Sequence, residues 1–172
     1  SFYHAGHTGD LSRVVADLGG EAQHGLITVG YSLGANLILK YLAEQGDRAP
    51  VTGAVSISAP IDLHSTQQRI GLRRNALYHR HLLREMRAER GGKLPPGVRT
   101  ILDFDNLVVA PAHGFRDALD YYSQSSSALL LGAICRPTLI IHAADDPWIP
   151  VDAYRGIDWP ANRHLLYMLL PS

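Results

Sequence analysis

The chain has 172 residues, enough for one well-cored domain, with 46% hydrophobic and 19% charged residues. Lys+Arg and Asp+Glu both number 16, a balance that points to neither a nucleic-acid partner nor an acidic one. The single cysteine, Cys135, excludes an intrachain disulfide and a cysteine-rich metal site; the apolar run after it predicts a buried, inert thiol.

In chain order, Thr8 is placed to cap a short helix through Leu18, with Leu11, Val14, Val15 and Leu18 along one face. "GLITVG" reads as a buried strand because its apolar residues are continuous. Ala35–Gln45 reads as a helix that stops at Gly46. "VTGAVSIS" from Val51, "RPTLIIHA" from Arg136 and "RHLLYMLL" from Arg163 supply three further strands. Strands separated by helical segments predict an α/β fold with a mainly parallel sheet covered by helices. No apolar run reaches the about 18 residues of a membrane span.

Between the second and third strands, residues 62–122 differ in character and read as a helical lid insertion. Leu72, Ala76, His79, Leu83 and Met86 fall at alternating four- and three-residue steps, one face of a helix. Eight of the sixteen cationic residues lie between Arg69 and Lys93, against only Glu85 and Glu89. A basic amphipathic helix can rest on an anionic membrane, but a solvated outer face is the simpler expectation. On that expectation Arg73, Arg80, Arg84 and Arg87 face solvent.

The stretch Gly30-Tyr31-Ser32-Leu33-Gly34 has the pattern of a nucleophile elbow, in the context that its mechanism requires: strand, sharp turn, helix. The turn strains the serine backbone, and small residues two positions away on each side let strand and helix approach. Ser32 is then held at the carboxyl end of the sheet, where open α/β sheets bind ligands. The Leu33 backbone N–H, at the helix start, can meet a developing oxyanion.

Such a serine needs a base and a carboxylate to orient it, in the chain order serine, acid, histidine. Asp146, after "LIIHAAD" and before Pro147, is the candidate acid; Asp145 and Asp62 compete with it. The base is harder to find. His164 alone follows Asp146, and it stands at the start of the last strand, the wrong end of the sheet. His4, His7, His24, His64, His79, His81 and His113 precede the acid, and His142 lies within a strand. His79 and His81 are two apart and so on different helix faces, which argues against a metal pair.

The chain resembles the α/β-hydrolase superfamily, and within it the YheT-like hydrolases and their α/β-hydrolase-domain relatives. The residues that carry the resemblance are "YHAGHTGDL", "VGYSLGANLILKYLAEQG", "SISAPIDL", "LDFDNLVVAPAHGFRDALDYYSQSSS" and "ICRPTLIIHAADDPWIP", in the family's order over nearly the whole chain. The resemblance implies Ser32 as nucleophile, Asp146 as acid, and hydrolysis of carboxylic esters, in some relatives lipid esters, with neither metal nor organic cofactor. It also implies earlier strands with a second oxyanion donor, and a histidine-bearing loop after the last strand. The expectation is a hydrolase domain incomplete at both termini, with little or no esterase activity of its own and with "LITV" losing a partner on one edge. A non-catalytic binding domain on the same fold, or an acyltransferase, is the alternative. No nucleic-acid partner is expected; the compartment expected is the cytoplasm.

Overall fold

A computed structural model describes residues 4–171. Its α-helices are α1 (Thr8–Gly19), α2 (Ser32–Gln45), α3 (Leu63–Ile70), α4 (Ala76–Glu89), α5 (Ile101–Phe104), α6 (Ala110–His113), α7 (Ala118–Ser125) and α8 (Asp152–Arg155). The strands are β1 (Ile27–Tyr31), β2 (Gly53–Ile57), β3 (Thr138–Ala143) and β4 (Leu165–Leu170). The chain divides into two compact units, one of residues 4–62, 125–146 and 151–171, the other of Leu63–Gln124 with Pro147–Pro150.

The first unit holds the sheet. Its four strands pair in sequence order, β1-β2-β3-β4, and every pair is parallel. Tyr31 is in register with Ile57, and Ile57 with Ile141, so the carboxyl ends of β1 and β2 align, and β3 runs two residues beyond them to Ala143. Parallel pairing requires each connection to cross back over a face, and α2 makes the crossing from β1 to β2. Ala35, Ile38, Leu39 and Leu42 of α2 are buried. Gly46, at φ 57°, ends the helix and returns its N–H to the Leu42 carbonyl, the stop that the sequence predicts.

Alternation along the strands puts Thr28, Gly30, Ser56, Ile140, His142 and Tyr167 on one face and Ile27, Val29, Tyr31, Leu166 and Met168 on the other. On the first face Ser56, Ile140 and His142 are wholly buried. There His142 stacks on Tyr154 of α8 at 4.1 Å, and Trp159 stacks on Tyr167 at 4.4 Å. The Tyr154 hydroxyl donates to the Ala59 carbonyl at 2.6 Å, which lets a phenol sit fully buried; burial in turn holds its pKa well above the usual range. The second face is open at both sides: Ile27, Tyr31 and Leu166 are 64%, 67% and 64% exposed. β1 pairs only with β2, so one of its edges is unpaired among the described residues.

Four local expectations change. β1 is a strand but not a buried one, since Ile27, Val29 and Tyr31 are exposed. Thr8 does not cap α1; its hydroxyl donates to Glu44 at 2.6 Å and ties the start of α1 to the end of α2. Only Val15 of the expected α1 stripe is buried, while Val14 and Leu18 are exposed. Cys135 is half-buried rather than buried, its thiol against the Ala133 carbonyl.

The second unit is helical. Asn75 is buried and donates to the carbonyls of Arg69 and Pro147 at 2.9 and 3.0 Å, and Tyr78 stacks on Trp148 at 4.1 Å. These contacts attach the short Pro147–Pro150 segment to this unit. On α4 the half-buried stripe is Tyr78, His79, Leu82, Leu83 and Met86, whereas Leu72 and Ala76 are exposed. The inward face is thus rotated toward Tyr78 and Leu82. The amide of Ile101 donates to the His79 ring at 3.2 Å, and Thr100 and Asp103 form a capping box that starts α5.

A π-helical stretch, Asp105–Val109, joins α5 to α6 and carries a buried carboxyl. Tyr122 donates its hydroxyl to Asp105 at 2.5 Å. Burial raises the Asp105 pKa to about 7, against the lowering effect of that hydrogen bond. An unfolded Asp gives up its proton near pH 4, so between about pH 4 and 7 the folded state holds the extra proton and stability falls as pH rises. Asp105→Asn should flatten this fall. Denaturant midpoints at about pH 5 and pH 7.5 should lie closer together in the variant than in the parent; an unchanged gap would refute the raised pKa.

Candidate active site

The junction of β1 and α2 is built by one close approach. A Cβ on Gly30 would stand 2.7 Å from Ile38 Cδ1, 2.8 Å from the Gly34 carbonyl oxygen and 2.9 Å from Ala35 Cα. Two of those atoms are backbone and cannot swing aside, so the first turn of α2 can lie over β1 only where the strand has no side chain. Gly34 differs. Nothing lies within 4 Å of a Cβ added there. The expectation that both glycines serve the approach is therefore corrected: Gly30 alone is required by packing.

Between them the backbone passes from extended Tyr31, φ −119° and ψ 143°, straight into the helix through Ser32 at φ 49°. A left-handed conformation costs a non-glycine residue about 1–3 kcal/mol and persists only where its surroundings enforce it. Here the enforcing contact is the Gly30–α2 crossing. Ser32 is exposed at the carboxyl end of β1, and Leu33 follows in the first turn of α2, where amides have no partner within the helix.

One turn further on, Asn36 fixes the helix. It is wholly buried, donates to the Ser125 carbonyl at 2.9 Å and the Ala5 carbonyl at 3.4 Å, and accepts the Ser127 amide at 3.1 Å. These side-chain bonds all go to backbone remote in sequence. Sequence reading missed it, since an asparagine inside a helical pattern carries no signal of such partners.

A second strained serine was also missed. Ser58, at φ 48°, follows β2 one residue beyond the Ile57–Tyr31 register pair, and its amide donates to the Ile141 carbonyl at 2.9 Å. Two adjacent parallel strands thus end in serines held in the same unusual conformation.

After β3 the chain turns at Ala144 and Asp145. The Asp146 amide donates to the Ala143 carbonyl at 3.3 Å. Asp145 is exposed and Asp146 half-buried, and Asp146 lies close enough to Tyr154 for its charge to raise that phenol's pKa further. Ser32 and Asp146 therefore stand at the same end of the sheet, one strand apart, with the axes of β1 and β3 about 10 Å from each other. Asp62, the third candidate acid, is half-buried after β2.

The histidines of the last two strands stand elsewhere. The His164 carbonyl accepts the Thr138 amide at 2.8 Å, which places His164 at the entrance of β4, opposite Ser32. His142 is sealed inside the covered face. In the helical unit, His79 is half-buried and His81 exposed, so the two do not share one environment.

Comparison with known proteins places the fold. The chain is 40% identical over 161 residues to YheT of Escherichia coli, a match covering 86% of this chain and 47% of that protein. It is 32% identical over 178 residues to the monoacylglycerol lipase of Saccharomyces cerevisiae, covering 90% of this chain and 39% of the lipase. Among solved structures, the Pyrococcus furiosus esterase Pf2001 superposes with a TM-score of 0.54 at 17% identity, over 99% of this chain and 56% of the esterase. No protein-family model matches. The chain belongs to the α/β-hydrolase superfamily. YheT-like proteins are among its relatives, and the chain spans less than half the length of the two curated relatives named above.

The packing argument separates the two glycines experimentally. Gly30→Ala should destabilise the fold by about 1–3 kcal/mol through overpacking and strain. Gly34→Ala should leave stability within about 1 kcal/mol of the parent, since helix propensity favours alanine. Equal losses in urea denaturation would contradict the one-sided crossing.

Proposed function

We propose that this chain forms part of a serine hydrolase acting on carboxylic esters, with Ser32 as nucleophile, Asp146 as the orienting acid and the Leu33 N–H as an oxyanion donor. The observation that carries the reading is the backbone of Ser32, held at φ 49° on an exposed turn between a parallel strand and its crossing helix. Strain of that kind, at the carboxyl end of a sheet, supports a functional site over a simple helix cap.

In this reading the Ser32 hydroxyl attacks the ester carbonyl as a base takes its proton, and the carbonyl oxygen gains the negative charge. The Leu33 amide, aided by the positive end of α2, stabilises that charge. Collapse of the tetrahedral intermediate breaks the ester C–O bond, and the base passes the proton taken from Ser32 to the departing alcohol oxygen. Water then releases the acid from the acyl-enzyme by the same path. The base is a histidine. His142 and His164 are poorly placed for it, so the reading assigns that role to a histidine reaching the carboxyl end of the sheet from outside β3 and β4. The gap of one strand between Ser32 and Asp146 leaves room for an imidazole between them. No cofactor is required.

Asp146 is preferred to Asp145 because it is half-buried and beside Tyr154, where a carboxylate can be held in one orientation. Lipid esters are the favoured substrate class, since a yeast relative carries the name monoacylglycerol lipase.

The test uses the protein expressed from its complete gene. Ser32→Ala should abolish labelling by a fluorophosphonate probe, and labelling that persists would reject Ser32 as nucleophile. Asp146→Asn should lower kcat on p-nitrophenyl acetate by roughly a thousandfold or more, and Asp145→Asn far less. Reversed losses would move the acid by one residue.

A further inference from the structure

The outward side of α4 is not the uniformly polar surface expected of a helix packed on a domain. Leu77 is 82% exposed, and Leu72, just before the helix, is 47% exposed. A single exposed leucine is ordinary. This one stands in a row of cations. On α4 itself, Leu77, Arg80, Arg84 and Arg87 recur at steps of three, four and three, which aligns them along one side of the helix, and all four are exposed.

The stripe lies away from the half-buried residues Tyr78, Leu82 and Met86. Glu85 and Glu89, the only acids between Arg69 and Lys93, fall off it by the same periodicity. Arg84 meets the Glu85 carboxylate at 3.7 Å and the His81 ring at 3.2 Å, and its side chain remains 73% exposed. Arg74, Arg90 and Lys93 extend the cationic surface at the two ends of the helix, and all three are exposed.

We propose that this face of α4 docks on an anionic lipid surface. Charge complementarity selects the occupant: a row of arginines meets lipid phosphates, and guanidinium forks bind phosphate with two parallel hydrogen bonds. Leu77 distinguishes a membrane from a polyanion, because an exposed leucine in the middle of the row gains only where acyl chains lie just beneath the phosphates. The arginine stems can lie along the apolar boundary while their heads stay at headgroup level. Attachment through surface arginines is electrostatic and therefore salt-sensitive. The proposal stands apart from the assignment of Ser32, because binding to vesicles is read without turnover.

The experiment is co-sedimentation of the protein expressed from its complete gene with vesicles of phosphatidylcholine, either alone or with about a quarter phosphatidylglycerol, at roughly 0.05 and 0.5 M salt. The chain should bind the anionic vesicles at low salt, release them at high salt, and ignore the neutral ones. Each arginine removed should lower partitioning about fivefold, so Arg80→Gln with Arg84→Gln should lower it about twentyfold or more. Leu77→Ser should weaken binding several-fold, while Arg13→Gln, on α1, should leave it unchanged. Thermal melts check that each variant folds. If the double variant does not fold, Leu77→Ser decides. Equal binding to neutral and anionic vesicles, full binding by a folded double or Leu77→Ser variant, or binding to a DNA duplex but not to vesicles would each overturn the proposal.

Discussion

The contact between Gly30 and the first turn of α2 governs the sheet unit. Because the strand has no Cβ there, the helix starts directly over it, and the chain has a single residue in which to reverse from extended to helical. That residue is Ser32, and its left-handed backbone is the geometric consequence. Asn36 completes the arrangement by tying the next turn of the helix to the chain around Ser125 and Ser127. The elbow is therefore held from two sides, by a steric fit below and by buried hydrogen bonds beside it. A buried amide with all of its main partners satisfied stabilises one position of the helix, and any shift would leave several polar groups unpaired.

Parallel pairing then carries that local geometry across the sheet. All four strands run the same way; the ends of β1 and β2 align in register, and β3 continues two residues further. Residues that follow β1, β2 and β3 therefore emerge at one end of the sheet: Ser32 and Ser58 directly, Asp146 after a short turn. The same rule places His164 at the other edge, because it precedes β4 rather than succeeding it. Open α/β sheets bind ligands at the carboxyl ends of their strands, and parallel topology gathers those ends on one side. The two faces of the sheet differ sharply. One is closed by α2 and by an aromatic stack of His142, Tyr154, Trp159 and Tyr167. The other leaves Ile27, Tyr31 and Leu166 largely open to solvent.

Several expectations from the sequence were displaced by packing. The five-residue pattern around Ser32 suggested two equivalent glycines, but only the one on the strand meets its helix. The apolar periodicity of the cationic segment predicted a helix and its approximate phase. It could not tell that Tyr78 would turn inward against Trp148, or that Leu72 and Leu77 would stay outside. Thr8 looked like a cap because threonine before a periodic run usually is one; Glu44, 36 residues further along, supplied a better partner for its hydroxyl.

The sequence by itself determined the elements and their class. Continuous apolar runs separated by helical periodicity dictate parallel strands with crossing helices, and the spacing of Gly30 and Ser32 dictates the elbow, because these are constraints between near neighbours. Tertiary structure alone decided which aspartate is half-buried, which glycine is indispensable, and why Asn36, Ser58 and Asp105 matter. Each of those depends on partners brought together from distant parts of the chain: Ser125 for Asn36, Ile141 for Ser58, Tyr122 for Asp105. A polar residue's role is set by what is buried beside it, and sequence spacing does not record burial.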